Sequence, residues 1–197
     1  MAKLYFKYGA MGSSKSAQAL ITKFNYEERG MQVWLIKPAV DIRCGKTAVA
    51  SRIGLCAQAW VAAADTDILA AYAQRNEPTD VIIADECQFF TPSQIDAFRT
   101  LVDTENIPVL CFGLRTDFRT QLFPGSRRLF EVADSISEIK TICACGAKAI
   151  VNARQDAHGK IVTEGSQVLL GGNDRYIALC HSCYKKAITR QNTEKQK

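Results

Sequence analysis

Gly9-Ala10-Met11-Gly12-Ser13-Ser14-Lys15-Ser16 is the stretch around which the rest of the chain is organised. It follows Leu4-Tyr5-Phe6-Lys7-Tyr8, an apolar-leaning run with strand character. It opens a helical pattern that sets Ala17, Leu20, Ile21 and Phe24 on one face. A strand, a tight loop and Lys-Ser at a helix start make the phosphate-binding P-loop arrangement. The physics is anion binding: loop and first-turn N–H groups converge on one concavity, and the helix dipole favours negative charge there. In such a loop Lys15 reaches the β- and γ-phosphates and the Ser16 hydroxyl ligates Mg²⁺. One position departs from G-x-x-x-x-G-K-S/T. Ser14 stands where the second glycine is expected; it keeps its N–H but lacks glycine's backbone freedom.

With 197 residues the chain suits one domain, or one domain with a small appendage. A composition of 47% hydrophobic and 23% charged residues is that of a soluble globular protein, with enough apolar material for a sizeable core. No apolar run approaches membrane-spanning length, and Met1-Ala2-Lys3 enters a strand without a signal-peptide hydrophobic region. A cytoplasmic protein with no membrane partner is expected. The net charge of +5 suits a small polyanionic substrate and permits weak nucleic-acid binding. Eight cysteines without a secretory signal argue for reduced thiols or metal rather than disulfides.

Beyond the first helix, Arg29-Gly30 reads as its stop and Val33-Trp34-Leu35-Ile36 as a second strand broken at Pro38. Residues 39–64, with Asp41, Arg43 and Arg52, read as loops and short pieces. Asp65 is placed to cap a helix using Ile68, Leu69 and Tyr72. Val81-Ile82-Ile83-Ala84 is a strand covered on both faces. Thr91-Pro92 starts a helix whose inner face is Ile95, Phe98, Leu101 and Val102. Val109-Leu110-Cys111-Phe112 is another buried strand, Leu114 to Gly125 a polar loop, and Ser135 to Thr141 a last strand. Strands alternating with helices predict a parallel sheet with right-handed crossovers. The composition shifts near Cys143 to a small β-rich appendage, and a loose polar tail is expected from Lys185.

Asp85-Glu86-Cys87-Gln88 closes a buried strand, at the end of a parallel sheet where ligands bind. A carboxylate there supports Mg²⁺, as in a Walker B strand, and Glu86 beside it can act as a general base. Of Phe89 and Phe90, one is expected in the core. Cys143-Ala144-Cys145 and Cys180-His181-Ser182-Cys183 form two close cysteine pairs that suit a closed tetrahedral Zn²⁺ site, with His181 as a substitute ligand. Cys44, Cys56, Cys87 and Cys111 have no sequence partner, and His158 lies in a polar turn. Phe118 and Phe123 sit in a polar loop after a strand, where aromatics can stack on a base or simply anchor the loop.

Together these segments resemble the type II thymidine kinase family, the compact zinc-containing class. The resemblance runs from Lys3 to about Lys186 and also rests on Lys37-Pro38-Ala39-Val40-Asp41-Ile42-Arg43, Gly113-Leu114-Arg115-Thr116-Asp117-Phe118-Arg119 and Gly171-Gly172-Asn173-Asp174-Arg175-Tyr176. It implies an α/β fold: a P-loop, RecA-like domain (1–141) with a mostly parallel sheet flanked by helices, a small β-rich zinc-binding and substrate-lasso domain (142–186), and a polar tail (187–197). It implies ATP-dependent phosphorylation of the thymidine 5′-hydroxyl, with Glu86 as catalytic base and Cys143, Cys145, Cys180 and Cys183 on structural Zn²⁺. ATP and Mg²⁺ then contact Gly9, Ala10, Met11, Gly12, Ser13, Ser14, Lys15, Ser16, Asp85, Glu86, Cys87 and Gln88. Thymidine contacts Met11, Asp41, Arg43, Phe89, Phe118, Phe123, Gln167, Val168, Leu169, Leu170, Gly171 and Tyr176. Asn152 stands near where some family members place a threonine close to the thymine methyl. A homotetramer without a stable nucleic-acid partner is implied as well.

Three other readings fit parts of the sequence. Asp85-Glu86-Cys87-Gln88 resembles a helicase box, which would make a nucleic-acid-stimulated ATPase, although no second domain of similar size fits in the chain. Ser14 would suit a zinc-ribbon binding module with an inactive loop. A kinase acting on another deoxynucleoside keeps the same machinery.

Overall fold

A computed structural model describes residues 1–42, 45–167 and 176–194. In chain order, β1 (Leu4–Tyr8) and α1 (Lys15–Glu27) flank the glycine-serine loop. They are followed by β2 (Val33–Pro38), the pair β3 (Ala48–Ala50) and β4 (Cys56–Gln58), β5 (Trp60–Ala62) and α2 (Ile68–Ala73). Next come β6 (Val81–Ala84), a 3₁₀ turn (Cys87–Phe89), α3 (Pro92–Thr104), β7 (Val109–Gly113), α4 (Pro124–Val132) and β8 (Ser135–Glu138). The chain continues through β9 (Val151–Arg154), β10 (Tyr176–Leu179) and α5 (His181–Glu194).

Among the described residues, six strands form one sheet in the order β5-β2-β6-β7-β1-β8, with parallel pairing at every step. The continuous apolar runs explain the centre. Every residue of β6 and β7 is buried, and successive side chains go to opposite faces. Ile82 and Cys111 join Phe6, Ile95, Phe98 and Leu101 on the α3 side. Ile83, Leu110 and Phe112 join Ala19 and Leu20 on the α1 side. Each fully buried Ile or Phe in these layers contributes about 1.5–3 kcal/mol. The start of α3 is fixed by a capping box: Gln94 N–H donates to Thr91 Oγ1, and Thr91 N–H donates back to Gln94 Oε1.

Several elements differ from the sequence expectation. The buried side of α1 is Lys15, Ala17, Ala19 and Leu20, whereas Ile21 and Phe24 are about half exposed. Lys15 turns inward at the first turn, and that fixes the helix's rotation. The cap of α2 is Asp67, whose Oδ1 accepts from Leu69 N–H at 2.9 Å and Ala70 N–H at 3.0 Å, rather than Asp65. β5 is one of the short pieces expected in residues 39–64, and its pairing with β2 makes it an edge strand of the sheet. α4 begins at Pro124, inside the expected polar loop. The expected loose tail is helical to Glu194, because Tyr184 and Ile188 pack against Val151 and Ala153 of β9. β9 and β10 make a second, antiparallel sheet with Val151 opposite Leu179.

Candidate active site and cysteine cluster

The phosphate-type loop leaves β1 at Gly9, whose N–H donates to Gly113 O at 3.2 Å. A Cβ on Gly9 would meet Ile139 O and Ser13 Oγ at 2.4 Å, so the loop's entry needs glycine. Gly12 (φ 77°) and Ser14 (φ 61°, ψ 30°) both adopt the left-handed conformation, the second without glycine's freedom. Lys15 is buried, and its ammonium donates to Ala10 O at 2.9 Å and Ser13 Oγ at 3.3 Å. The tip is tied from outside, where Met11 N–H donates to Asn152 Oδ1 at 2.7 Å.

β6 delivers Asp85 and Glu86, both largely buried, to the same end of the sheet. Glu86 is itself left-handed (φ 50°, ψ 39°) and breaks the strand into the 3₁₀ turn. Its Oε2 accepts from Gln88 Nε2 at 2.5 Å, while Gln88 Oε1 accepts from Leu114 N–H at 2.9 Å. Cys87 lies in the core, where burial and then the neighbouring Cys111, Asp85 and Glu86 push its thiol well above the usual range. Cys87 and Gln88 therefore stand behind Glu86. A cleft of about 260 Å³ brings together Lys15, Ser16, Asp41, Arg52, Asp85 and Glu86. That is just below the ~300–1,000 Å³ usual for a small-molecule site.

Asp41 enters the cleft from the loop after β2, held by an ion pair at 3.3 Å with the fully buried Lys37. Lys37 also donates to Gly45 O at 3.3 Å and Ala48 O at 2.9 Å, so one ammonium ties Asp41, Gly45 and Ala48 together. Arg52 and Ile53, at the β3–β4 turn, close the cleft from above. An isolated arginine in a short turn carries no motif, so nothing in the sequence marks either residue as a ligand contact. Ser16 and Asp85 offer hard oxygen ligands on one cleft, the donor set that suits Mg²⁺.

Phe89 and Phe123 meet edge to face with ring centres 5.6 Å apart, while Phe90 is the core member of its pair. Phe118 is buried, with the Arg154 guanidinium 3.8 Å above its ring and Tyr184 donating to its carbonyl at 3.1 Å. Gln167 donates to Asp117 Oδ2 at 3.2 Å, and Tyr176 opens β10. Arg43, Cys44, Val168, Leu169, Leu170 and Gly171 lie outside the described residues.

Cys143, Cys145, Cys180 and Cys183 converge with all four sulfurs within 4.8 Å of one another. Cys145 Sγ and Cys180 Sγ are 3.6 Å apart, close to the edge of a tetrahedron built from Zn–S bonds of ~2.3 Å. Backbone N–H groups of Cys145 and Cys180 hold the Cys143 thiol down at about 6, whereas the thiols of Cys145, Cys180 and Cys143 push Cys183 up to about 12. The cluster fits a structural zinc ion, with His181 outside the set of four.

Comparison with known proteins agrees with this arrangement. A family model described as Thymidine kinase matches residues 2–184. A thymidine kinase of Vibrio cholerae is 47% identical over 192 residues, covering 96% of this chain and all of that protein. One of Yersinia pseudotuberculosis is 45% identical over 190 residues, covering 95% of this chain and 97% of its own length. One of Legionella pneumophila is 47% identical over 190 residues, covering 94% and 90%. A match that runs from the first strand through the cysteine cluster takes in both halves of the architecture, and the chain belongs to the thymidine kinase family.

Proposed function

We propose that this chain transfers the γ-phosphoryl group of ATP to the 5′-hydroxyl of thymidine, giving thymidine monophosphate and ADP. The observation that carries the reading is the single cleft in which the P-loop residues Lys15 and Ser16 face Asp85 and Glu86. Loop N–H groups and Lys15 hold the phosphate chain. Asp85 and the Ser16 hydroxyl would hold Mg²⁺, which when bound offsets charge on the phosphate oxygens. Glu86 accepts the 5′-hydroxyl proton as the new O–P bond forms and the bond to the ADP oxygen breaks. Gln88, locked by Leu114 N–H, aims that carboxylate. Asp41 and Arg43 serve the deoxyribose and the transferred phosphate, and Arg52 adds positive charge above the cleft.

Met11, Phe89, Phe118 and Phe123 serve the thymine, and residues 167–171 with Tyr176 cover it; closing the site against water limits wasteful ATP hydrolysis. Residues 142–186 act as a zinc-stabilised unit bearing that cover, and Cys143, Cys145, Cys180 and Cys183 would hold the zinc, whose contribution there is local structure. A cytoplasmic homotetramer without a stable nucleic-acid partner completes the reading. The test is product formation from ATP, Mg²⁺ and a panel of nucleosides including deoxyuridine, with ATPase activity measured with and without DNA. Thymidine monophosphate as main product is expected; hydrolysis that needs DNA and ignores nucleosides would overturn the reading.

A further inference from the structure

We infer that Asn152 is a positioning residue for the phosphate loop, its side-chain amide clamping the Met11 N–H to the Thr116 carbonyl. Asn152 is 2% exposed, and both ends of its amide are used. Oδ1 accepts from Met11 N–H at 2.7 Å and Nδ2 donates to Thr116 O at 2.9 Å. A backbone donor on one side and a backbone acceptor on the other fix which way the amide points. The clamp spans 141 residues to Met11 and 36 to Thr116, so it joins segments with no local reason to stay together.

The loop needs such a clamp. Gly12 takes the left-handed conformation freely, but Ser14, two residues on, holds it at a steric cost that something outside the loop must offset. Met11 is the residue before them and borders the cleft. Asn152 is held independently of the loop: β9 pairs with β10, and Tyr184 of α5 packs on its neighbours Val151 and Ala153. Thr116 opens the segment that carries Phe118 and Phe123, so the same amide sets the phosphate loop's distance from those aromatics. Held at both ends, Asn152 acts on the loop through the backbone groups of Met11 and Thr116.

The inference rests on residues 9–16 being the ATP phosphate site and not on thymidine being the acceptor, so nucleotide binding is the readout. In the full-length zinc-loaded chain, hydrogen exchange should show the Met11 amide protected without nucleotide. Asn152→Leu, close in size and unable to make either bond, should speed that exchange and weaken binding of a non-hydrolysable ATP analogue with Mg²⁺ by about tenfold. In turnover the KM for ATP should rise more than that for thymidine, with zinc content unchanged. An unprotected Met11 amide in the parent overturns the clamp whether or not the variant folds. So does a folded variant that keeps the parent's Met11 exchange and analogue affinity. A parent that binds no nucleotide overturns the reading of residues 9–16 and the clamp's role with it.

Discussion

Ser14 holds a left-handed backbone that costs an L-residue about 1–2 kcal/mol, and the carbonyl of the same residue accepts the Gln18 N–H at 3.0 Å that starts α1. Ser14→Gly relieves that strain but adds freedom to the unfolded chain. The net expected gain is about 0.5–1 kcal/mol, read as a higher melting midpoint with turnover near the parent's. A lower midpoint, or an inactive parent rescued by the glycine, would contradict this. Of the left-handed non-glycine residues Ser14, Glu86, Asn106 and Thr120, the first two line the cleft, and strain of this kind is frequent at functional sites. Glu86→Gln keeps size and burial; it should retain nucleotide binding and lose about 10²–10⁴-fold in turnover, and near-normal turnover would remove Glu86 from the base's role. At this scale the sequence marks Lys15, Asp85 and Glu86 by their place at a helix start and a buried strand's end. It does not separate Cys87 and Gln88 from them, because left-handed Glu86 turns the chain there, and the N–H that holds the Gln88 side chain belongs to Leu114, 26 residues further on.

Elements are joined at this sheet's edge by Asp134, between α4 and β8. Its Oδ2 accepts from Leu4 N–H at 2.7 Å and Arg99 at 2.6 Å, linking β1 to α3. The Leu4 N–H, and then Arg99, hold its carboxyl below the usual value. A depressed folded-state value means stability that is present above the unfolded value, near 4, and lost as pH falls through the folded one. Asp134→Asn should therefore lower the melting midpoint at neutral pH, and the gap to the parent should close in acid. Arg99 and Asp134 side chains are 22% and 37% exposed, so solvent screening limits the effect to about 1 kcal/mol. A gap that widens in acid would refute the linkage. The long elements were legible, since β6, β7 and the inner face of α3 are pure apolar pattern. The short or polar ones were not. β5 has three residues, and Pro124-Gly125 reads as a turn although it starts α4. Gly125 is required there, because a Cβ would meet Cys87 O and Phe90 O at 2.6 Å. In α5 only Tyr184 and Ile188, four apart, signal a packed side.

Across the whole molecule the four cysteines bring Cys143 and Cys145 together with Cys180 and Cys183, and their spacing disclosed the cluster. About one Zn²⁺ per chain is expected by metal analysis, and a chelator should loosen this cluster, seen by hydrogen exchange, before the parallel sheet. A metal-free, fully active protein with four titratable thiols there would sink the assignment. Which strands become neighbours was not legible, because parallel order depends on crossovers and not on any strand's own residues. That order reaches into biosynthesis. β1 pairs with β7 and β8, so Leu4 lies beside Val109 and Tyr5 beside Ser135. A growing chain shorter than this offers β1 no partner strand in the sheet, while β2 and β6 can already meet. At ribosomal speeds of ~5–20 residues per second, the wait lasts on the order of ten seconds. The loop is thus translated well before the strand that frames it, and a nascent fragment lacking β7 holds every residue of the phosphate motif without the frame that gives it a shape.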